Sequence, residues 1–291
     1  MLMMNRAGRA GWRSAMVLAL GAGLALAAPA GAQDSGARGD LLNATLWMQK
    51  SVEYKAATLA AFTLARMRLN QALADRKWTG APDEQKGDFH NLPPAVVLDV
   101  DETLVDNSGY QAWMAVKGAS FTPGTWTAFV NSETAKAIPG AVEFCKYAES
   151  KGVKVFYISN RTAEEEPATR RNMEKLGFPM GGNVDTVLTS REQPDWTSAK
   201  STRRAYVAKS YRILLNLGDN FGDFTDAYRG TEAERLKVFE ANKDRWGREW
   251  IMLPNPTYGS FESAAFNHDF KKTQAEQNKA KLEALEPWKG Q

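Results

Sequence analysis

Soft metal ligands are scarce in this chain. Its 291 residues include one cysteine and two histidines. A single cysteine excludes an intrachain disulfide, and so few Cys and His exclude the clusters that hold zinc. Cys145 lies three residues from Val142 on an expected helix and reads as a small core side chain, not a reactive thiol. Long apolar runs are missing too. The one stretch of note, Ala15 to Ala28, follows Arg6, Arg9 and Arg13, is too short to span a bilayer, and precedes the small residues Ala30-Gly31-Ala32. That pattern predicts a cleaved signal peptide over residues 1–32 and a periplasmic or secreted protein with no stable membrane anchor.

Charge of one sign is not in excess either. The formal net charge is +3, and the three arginines of the signal segment account for it, because residues 1–32 carry no lysine and no acid. The rest is neutral. Nothing in that balance calls for a nucleic-acid polymer or an anionic membrane as partner. No internal repeat or low-complexity segment interrupts it.

What the chain does have is acid at the ends of short apolar runs. Pro94-Ala95-Val96-Val97-Leu98 has the β-branched content of a buried parallel strand, and Asp99-Val100-Asp101-Glu102-Thr103 follows at once. Arg212 to Gly218 reads as a second such strand and ends in Asp219-Asn220-Phe221-Gly222-Asp223. Between them Val153 to Ile158 forms a third, ending in the donors Ser159-Asn160-Arg161. In open α/β sheets ligands bind outside the carboxyl ends of strands. Taken alone, a strand-end pair of aspartates is as well explained by capping of the next helix. Four carboxylates on one sheet edge, with hydrogen-bond donors between them, point instead to a hard cation such as Mg²⁺ and to phosphate oxygens.

The remaining segments fall into place around these strands. Leu41 to Ala74 is expected to be helical, with apolar Leu59, Phe62, Leu64 and Met67 among polar residues. Asp75 to Asn91 reads as a polar linker or loop. Helix is expected from Pro139-Gly140 to Ser150, strands at Val184–Leu188 and Trp250–Leu253, and a charged helical tail after His268. The alternation predicts an α/β fold, a doubly wound parallel sheet with a mainly helical N-terminal and cap subdomain. The expected divisions are 33–94 for the N-terminal helical segment, 95–262 for the core with a cap insertion at about 106–132, and 263–291 for the tail.

The order of motifs resembles the haloacid dehalogenase superfamily of phosphatases, with a D-x-D-x-T first motif, a Ser/Thr second motif and a G-D-x-x-x-D last motif. In more detail it resembles the class C bacterial nonspecific acid phosphatases, the outer-membrane lipoprotein acid phosphatase and 5'-nucleotidase group. Trp47 to Lys55, Asp99 through Ser108, Ala137 to Phe144, Val155 to Arg161, Gly218-Asp219-Asn220 and Leu253-Pro254-Asn255 carry the likeness, over roughly residues 42–261. The sequence departs from the lipoprotein pattern in having no cysteine at the expected cleavage site. It departs again at Gly222, where the family often carries another acid.

The resemblance implies a haloacid dehalogenase-like Rossmannoid core and an aspartyl-phosphate mechanism. Asp99 is the expected nucleophile and Asp101 the general acid and then base. Mg²⁺ is expected on Asp99, Asp219, Asp223 and the Asp101 carbonyl, with Asp223 ligating directly or through a water. Ser159 and a motif lysine are expected to hold phosphoryl oxygens, with Asn160 and Arg161 as further phosphate or substrate contacts. Lys200 and Lys209 both fit the motif lysine; the segment Ser198 to Arg203 favours Lys200. Small phosphomonoesters, nucleotide monophosphates among them, are the implied substrates. Trp126 and Tyr258 match the aromatic pair that pinches a base, although aromatic residues also serve as core. Relatives suggest a homodimer. Histidine-dependent phosphatase chemistry is excluded because neither His90 nor His268 lies in such a motif, and cysteine phosphatase chemistry because Lys151 stands where its arginine belongs. A phosphotransferase of the same fold remains open. A non-catalytic storage relative would have a damaged first motif, and here Asp99 and Asp101 are both present.

Overall fold

The computed structural model describes residues 36–290. The expected signal peptide lies outside the described residues; among the described residues no helix is long and apolar enough to cross a membrane.

In chain order the elements are α1 (Gly36–Lys50), α2 (Val52–Ala74), β1 (Pro94–Leu98), β2 (Val105–Asp106), α3 (Ser108–Lys117), α4 (Pro123–Asn131), β3 (Lys136–Ala137), α5 (Ala141–Ser150), β4 (Lys154–Thr162) and α6 (Glu166–Leu176). β5 (Val187–Ser190), α7 (Ser201–Ala208), β6 (Arg212–Gly218), α8 (Glu232–Ala241), β7 (Trp250–Met252), α9 (Ser260–Ala264) and α10 (Gln274–Ala284) complete the fold. Five strands form one parallel sheet in the order β5-β4-β1-β6-β7. The chain leaves β1 toward β4 and β5, then crosses to β6 and β7 on the other side. β1 is therefore the point where the winding reverses, and the crevice at its carboxyl end is where such sheets bind ligands.

Alternation along the strands divides the core. Val96, Leu98, Val155 and Tyr157 pack on one face with α2 and α5, and Ala95, Val97, Phe156 and Ile158 on the other with Val207 of α7. Cys145 is fully buried in the first cluster, as expected.

Three expectations change in detail. The helix over 41–74 is two helices: Ser51 ends α1 and caps α2, its hydroxyl accepting the Tyr54 N–H at 3.0 Å. The buried stripe of α2 is Tyr54, Thr58, Phe62, Ala65, Leu69 and Ala72; Leu59 and Met67 face solvent. The third strand continues through Ser159-Asn160-Arg161 to Thr162, because β5 keeps pairing with it across a register shift. β5 itself starts at Val187, not Val184, where the Asp185 carboxylate accepts the Val187 N–H.

The loop between α2 and β1 is bolted to the sheet. Gly80 N–H donates to Ile213 O at 2.8 Å and the Trp78 indole to Leu214 O at 2.8 Å, beside a register shift between β1 and β6. A Cβ on Gly80 would lie 3.1 Å from Leu215 Cα, so this approach suits glycine.

Candidate active site

The first acid pair sits where β1 ends. Asp99 N–H donates to Leu217 O at 2.9 Å, which extends the β1–β6 ladder by one residue. The chain then closes a tight turn, with Leu104 and Val105 N–H both donating to Val100 O. Glu102 within that turn has φ +57°, a conformation L-residues avoid. It is also fully buried.

Asp99, Lys200 and Asp223 form a buried triad. Lys200 Nζ donates to Asp99 Oδ1, and to Asp223 Oδ1 at 2.6 Å. Burial alone would lower the pKa of this ammonium, but Asp223 and Asp99 raise it. Burial pushes the Asp99 carboxyl up to about 6, against the pull of Lys200 and with the push of Asp223 and Asp101. Lys209, the rival lysine, is exposed at the end of α7.

Asp223 reaches this position through its own turn. Its carboxylate accepts the Asn220 N–H at 2.8 Å and packs directly on Gly218, where any Cβ would collide with it. Asp219 accepts Thr103 Oγ1 at 3.0 Å and Asn255 Nδ2 at 2.9 Å. Burial, with Asp99 and Asp223 nearby, holds its carboxyl well above the usual range. At Gly222 a Cβ would lie 3.1 Å from the Tyr228 ring, so an acid there would require that ring to shift by a few tenths of an ångström.

Asp99, Asp219 and Asp223 each offer an oxygen within 4.8 Å of the others. An all-carboxylate donor set, two of whose members, Asp99 and Asp219, are held above the usual carboxylate range by burial, fits a hard divalent cation, which would neutralise it. The Asp101 side chain is not part of this group.

Asp101 is held by a separate set of donors. Arg161 Nε and Nη2 approach its Oδ1 at 2.9 and 2.8 Å, and Asn107 Nδ2 donates to the same oxygen at 2.8 Å. Ser159 Oγ donates to Oδ2 at 3.3 Å. Arg161 also donates to Thr169 Oγ1 and Asn107 Oδ1. This guanidinium is thus engaged by protein groups, not free for a substrate. Asn160 is likewise engaged: Nδ2 donates to Ser198 O at 3.1 Å, and Oδ1 accepts Arg203 Nη2 at 2.6 Å.

The aromatic pair has other ties as well. Trp126 of α4 meets Tyr110 edge-on at 5.3 Å and Phe129 at 5.7 Å, with the Arg161 guanidinium 5.5 Å over its ring. The Tyr258 hydroxyl donates to Glu102 Oε2. Among the described residues no ring contact joins Trp126 to Tyr258.

Several residues at the site escaped the sequence reading of roles. Glu102 accepts Asn107 N–H at 2.9 Å and Nδ2 at 3.2 Å besides the Tyr258 hydroxyl. Burial, then Asp101, pushes its carboxyl up to about 8. Thr103 bridges Asp99 and Asp219. Arg203, fully buried, donates to Ser159 O and Thr197 O and so fixes the donor loop to the one before Lys200. Thr103, Asn107, Asn255 and Arg203 all stood inside quoted segments without a role assigned to them.

Comparison with known proteins gives a consistent result. A family model described as HAD superfamily, subfamily IIIB (acid phosphatase) matches residues 38–261. The solved class C acid phosphatase from Bacillus anthracis is 34% identical, with a TM-score of 0.76, over 87% of this chain and 99% of that one. A structure of the same enzyme with tungstate bound matches at 33% identity and a TM-score of 0.76, over the same 87% and 99%. Curated plant relatives are more distant. The stem 28 kDa glycoprotein of Glycine max is 24% identical over 56% of this chain and 58% of its own length. Vegetative storage protein 1 of Arabidopsis thaliana is 22% identical over 56% and 54%. The chain thus spans little more than half the length of these curated relatives. The matched span holds the whole sheet, the acid triad and the Asp101–Arg161 pair, and the chain belongs to the HAD superfamily, subfamily IIIB acid phosphatase family.

Proposed function

We propose that the protein is a Mg²⁺-dependent phosphomonoesterase that acts on 5'-nucleotides among other small phosphate esters. One observation carries the reading: Lys200 bonds both Asp99 and Asp223 at the strand ends, while Asp101, two residues on from Asp99, is held by Arg161. A nucleophile, a charge-balancing ammonium and a separate proton donor thus converge.

In this reading an Asp99 oxygen attacks phosphorus in line and the bond to the ester oxygen breaks. Asp101 gives that oxygen its proton. It then takes a proton from the water that attacks phosphorus, which frees Asp99 and releases phosphate. Ser159 and Lys200 hold phosphoryl oxygens. Mg²⁺ on Asp99, Asp219, Asp223 and the Asp101 carbonyl would supply charge neutralisation between carboxylates and phosphate. Tungstate bound to the Bacillus anthracis enzyme is a tetrahedral oxyanion, in keeping with phosphate as ligand. Trp126 and Tyr258 would flank the base. Residues 1–32 would direct export, and 106–132 would form the cap.

The test is phosphate release from a panel of phosphomonoesters, with and without chelator, for the wild type, Asp99→Asn and Asp219→Ala. Asp99→Asn is expected to be inert yet folded. Asp219→Ala is expected to need far more Mg²⁺. A tenth of wild-type kcat in Asp99→Asn would sink the covalent route, and full activity in excess chelator the metal.

A further inference from the structure

Glu102 stands next to Asp101 in the chain, and no step of the proposed reaction uses it. Its backbone has φ +57°, in the left-handed region, and its side chain is fully buried. Its N–H closes the turn after β1 by donating to Val105 O at 2.9 Å. Glycine or asparagine would hold such a turn at less cost. A glutamate kept there, strained and away from water, points to a task for its carboxylate.

That carboxylate is engaged by two residues. Oε1 accepts the Asn107 N–H at 2.9 Å, and Oε2 accepts Asn107 Nδ2 at 3.2 Å and the Tyr258 hydroxyl. Asn107 is itself fully buried. Its Nδ2 also donates to Asp101 Oδ1 at 2.8 Å, and its Oδ1 accepts Arg161 Nη2 at 3.2 Å. Carboxylates thus take both amide hydrogens, and a guanidinium takes the amide oxygen. Reversed, the amide would turn its oxygen on two carboxylates and its hydrogens on a cation. Glu102 therefore holds Asn107 by backbone and side chain, in the one orientation that gives Asp101 a donor.

We infer that Glu102 is a positioning residue for proton transfer: through Asn107 it keeps Oδ1 of Asp101 occupied and leaves Oδ2 for the proton. The inference rests on the reading of Asp101 as proton donor. The Tyr258 hydroxyl ties the chain beyond β7 to the same Glu102 oxygen, so Tyr258 and the proton donor share one anchor.

Steady-state kcat on an alkyl phosphate and on nitrophenyl phosphate tests it, because the ratio of the two does not depend on how much of a variant is folded. Glu102→Asp keeps the charge, suits a left-handed backbone better than glutamate, and draws the carboxylate back from Asn107 by one methylene. Glu102→Gln keeps the length but turns an NH₂ group on donors from Asn107. Both variants are expected to lower the alkyl-to-nitrophenyl ratio roughly 10-fold, the scale of one hydrogen bond to a charged group. Asn107→Ala combined with Glu102→Gln is expected to lower it no further than Asn107→Ala alone. Equal losses on the two esters, and so a wild-type ratio, in both Glu102 variants would make the residue merely structural and overturn the inference. A ratio lowered by Gln but not by Asp would overturn it too, since charge and not position would be at work. Asp101→Asn tests the reading beneath. If its ratio stays at the wild-type value, Asp101 is no proton donor and both fall; if its ratio drops while those of the Glu102 variants do not, only the positioning role falls.

Discussion

Arg161 and Asn107 saturate one oxygen of Asp101. Nε, Nη2 and Asn107 Nδ2 all lie within 2.9 Å of Oδ1, while Oδ2 has only the Ser159 hydroxyl at 3.3 Å. An oxygen that accepts three charge-assisted or amide donors has no room for a proton. If Asp101 is the proton donor to a departing alkoxide, that proton therefore sits on Oδ2. In that reading Arg161 is a positioning residue that leaves Oδ2 as the working oxygen of Asp101.

That division predicts a leaving-group dependence. Arg161→Gln should lower kcat for an alkyl phosphate by roughly 10²-fold, the lower end of what general acid catalysis contributes. A nitrophenyl phosphate, whose leaving group needs no proton, should lose far less. Steady-state kinetics on the two esters decide the matter. Equal losses on both would mean that Arg161 acts on the phosphate and not through Asp101.

Lys200 has a stability role separable from catalysis. Its ammonium and the Asp99 and Asp223 carboxylates are all at least nine-tenths buried. Lys200→Met should destabilise the metal-free protein by about 3–5 kcal/mol, because it leaves two buried carboxylates unpaired. Asp99→Asn added to it should recover part of that loss, since one charge is then removed. Urea denaturation of the three variants checks this. A double variant less stable than Lys200→Met would contradict the pairing.

Much of this arrangement was legible in the sequence, for a physical reason. Strands buried on both faces are continuous apolar runs, so Pro94–Leu98 and Arg212–Gly218 stood out, and the acids after them had to lie at the sheet edge. What stayed hidden depends on side chains meeting across distant segments. Nothing local says that Arg161 turns inward to Asp101, or that the Asn160 amide is taken up by Arg203 and Ser198. Glu102 looked like one more acid beside Asp101; only the turn that buries it and brings Tyr258 to its carboxylate makes it distinctive. The break at Ser51 was hidden for the opposite reason, since helical composition continues on both sides of a one-residue cap.

Glu102 makes stability depend on pH. Its carboxyl titrates near 4.5 in the unfolded chain and is pushed up to about 8 in the folded one by burial and by Asp101. Below the lower value both states hold the proton, and its contribution to stability is fully present. Between the two the folded state keeps a proton that the unfolded state releases, so stability falls as pH rises, by up to about 1.4 kcal/mol per pH unit. Above about 8 nothing further is lost. Thermal unfolding in chelator from pH 4 to 9 should show this decline, and Glu102→Gln should flatten it. Asp99 and Asp219, raised in the same direction, would leave a residual slope in the variant. An unchanged slope would show that Glu102 titrates elsewhere.

Specificity separates the two aromatic candidates. Tyr258 hangs from Glu102 by its hydroxyl, and among the described residues its ring has no aromatic or cation partner. Trp126 is packed among Tyr110 and Phe129 and lies under the Arg161 guanidinium. If both flank a base, Tyr258→Ala should cost nucleotide monophosphates roughly 1–3 kcal/mol in kcat/KM, about 5- to 150-fold, and a small aliphatic ester little. Tyr258→Phe keeps the ring and should keep most of the nucleotide preference, while freeing Glu102 of a donor. Trp126→Ala should also impair the aliphatic ester, because it removes the surface against which Arg161, and through it Asp101, is held. The kcat/KM ratio between nucleotide and aliphatic ester, measured for all three variants, reads this out. A ratio that stays at the wild-type value in Tyr258→Ala would remove the base clamp and leave a phosphatase without nucleotide preference.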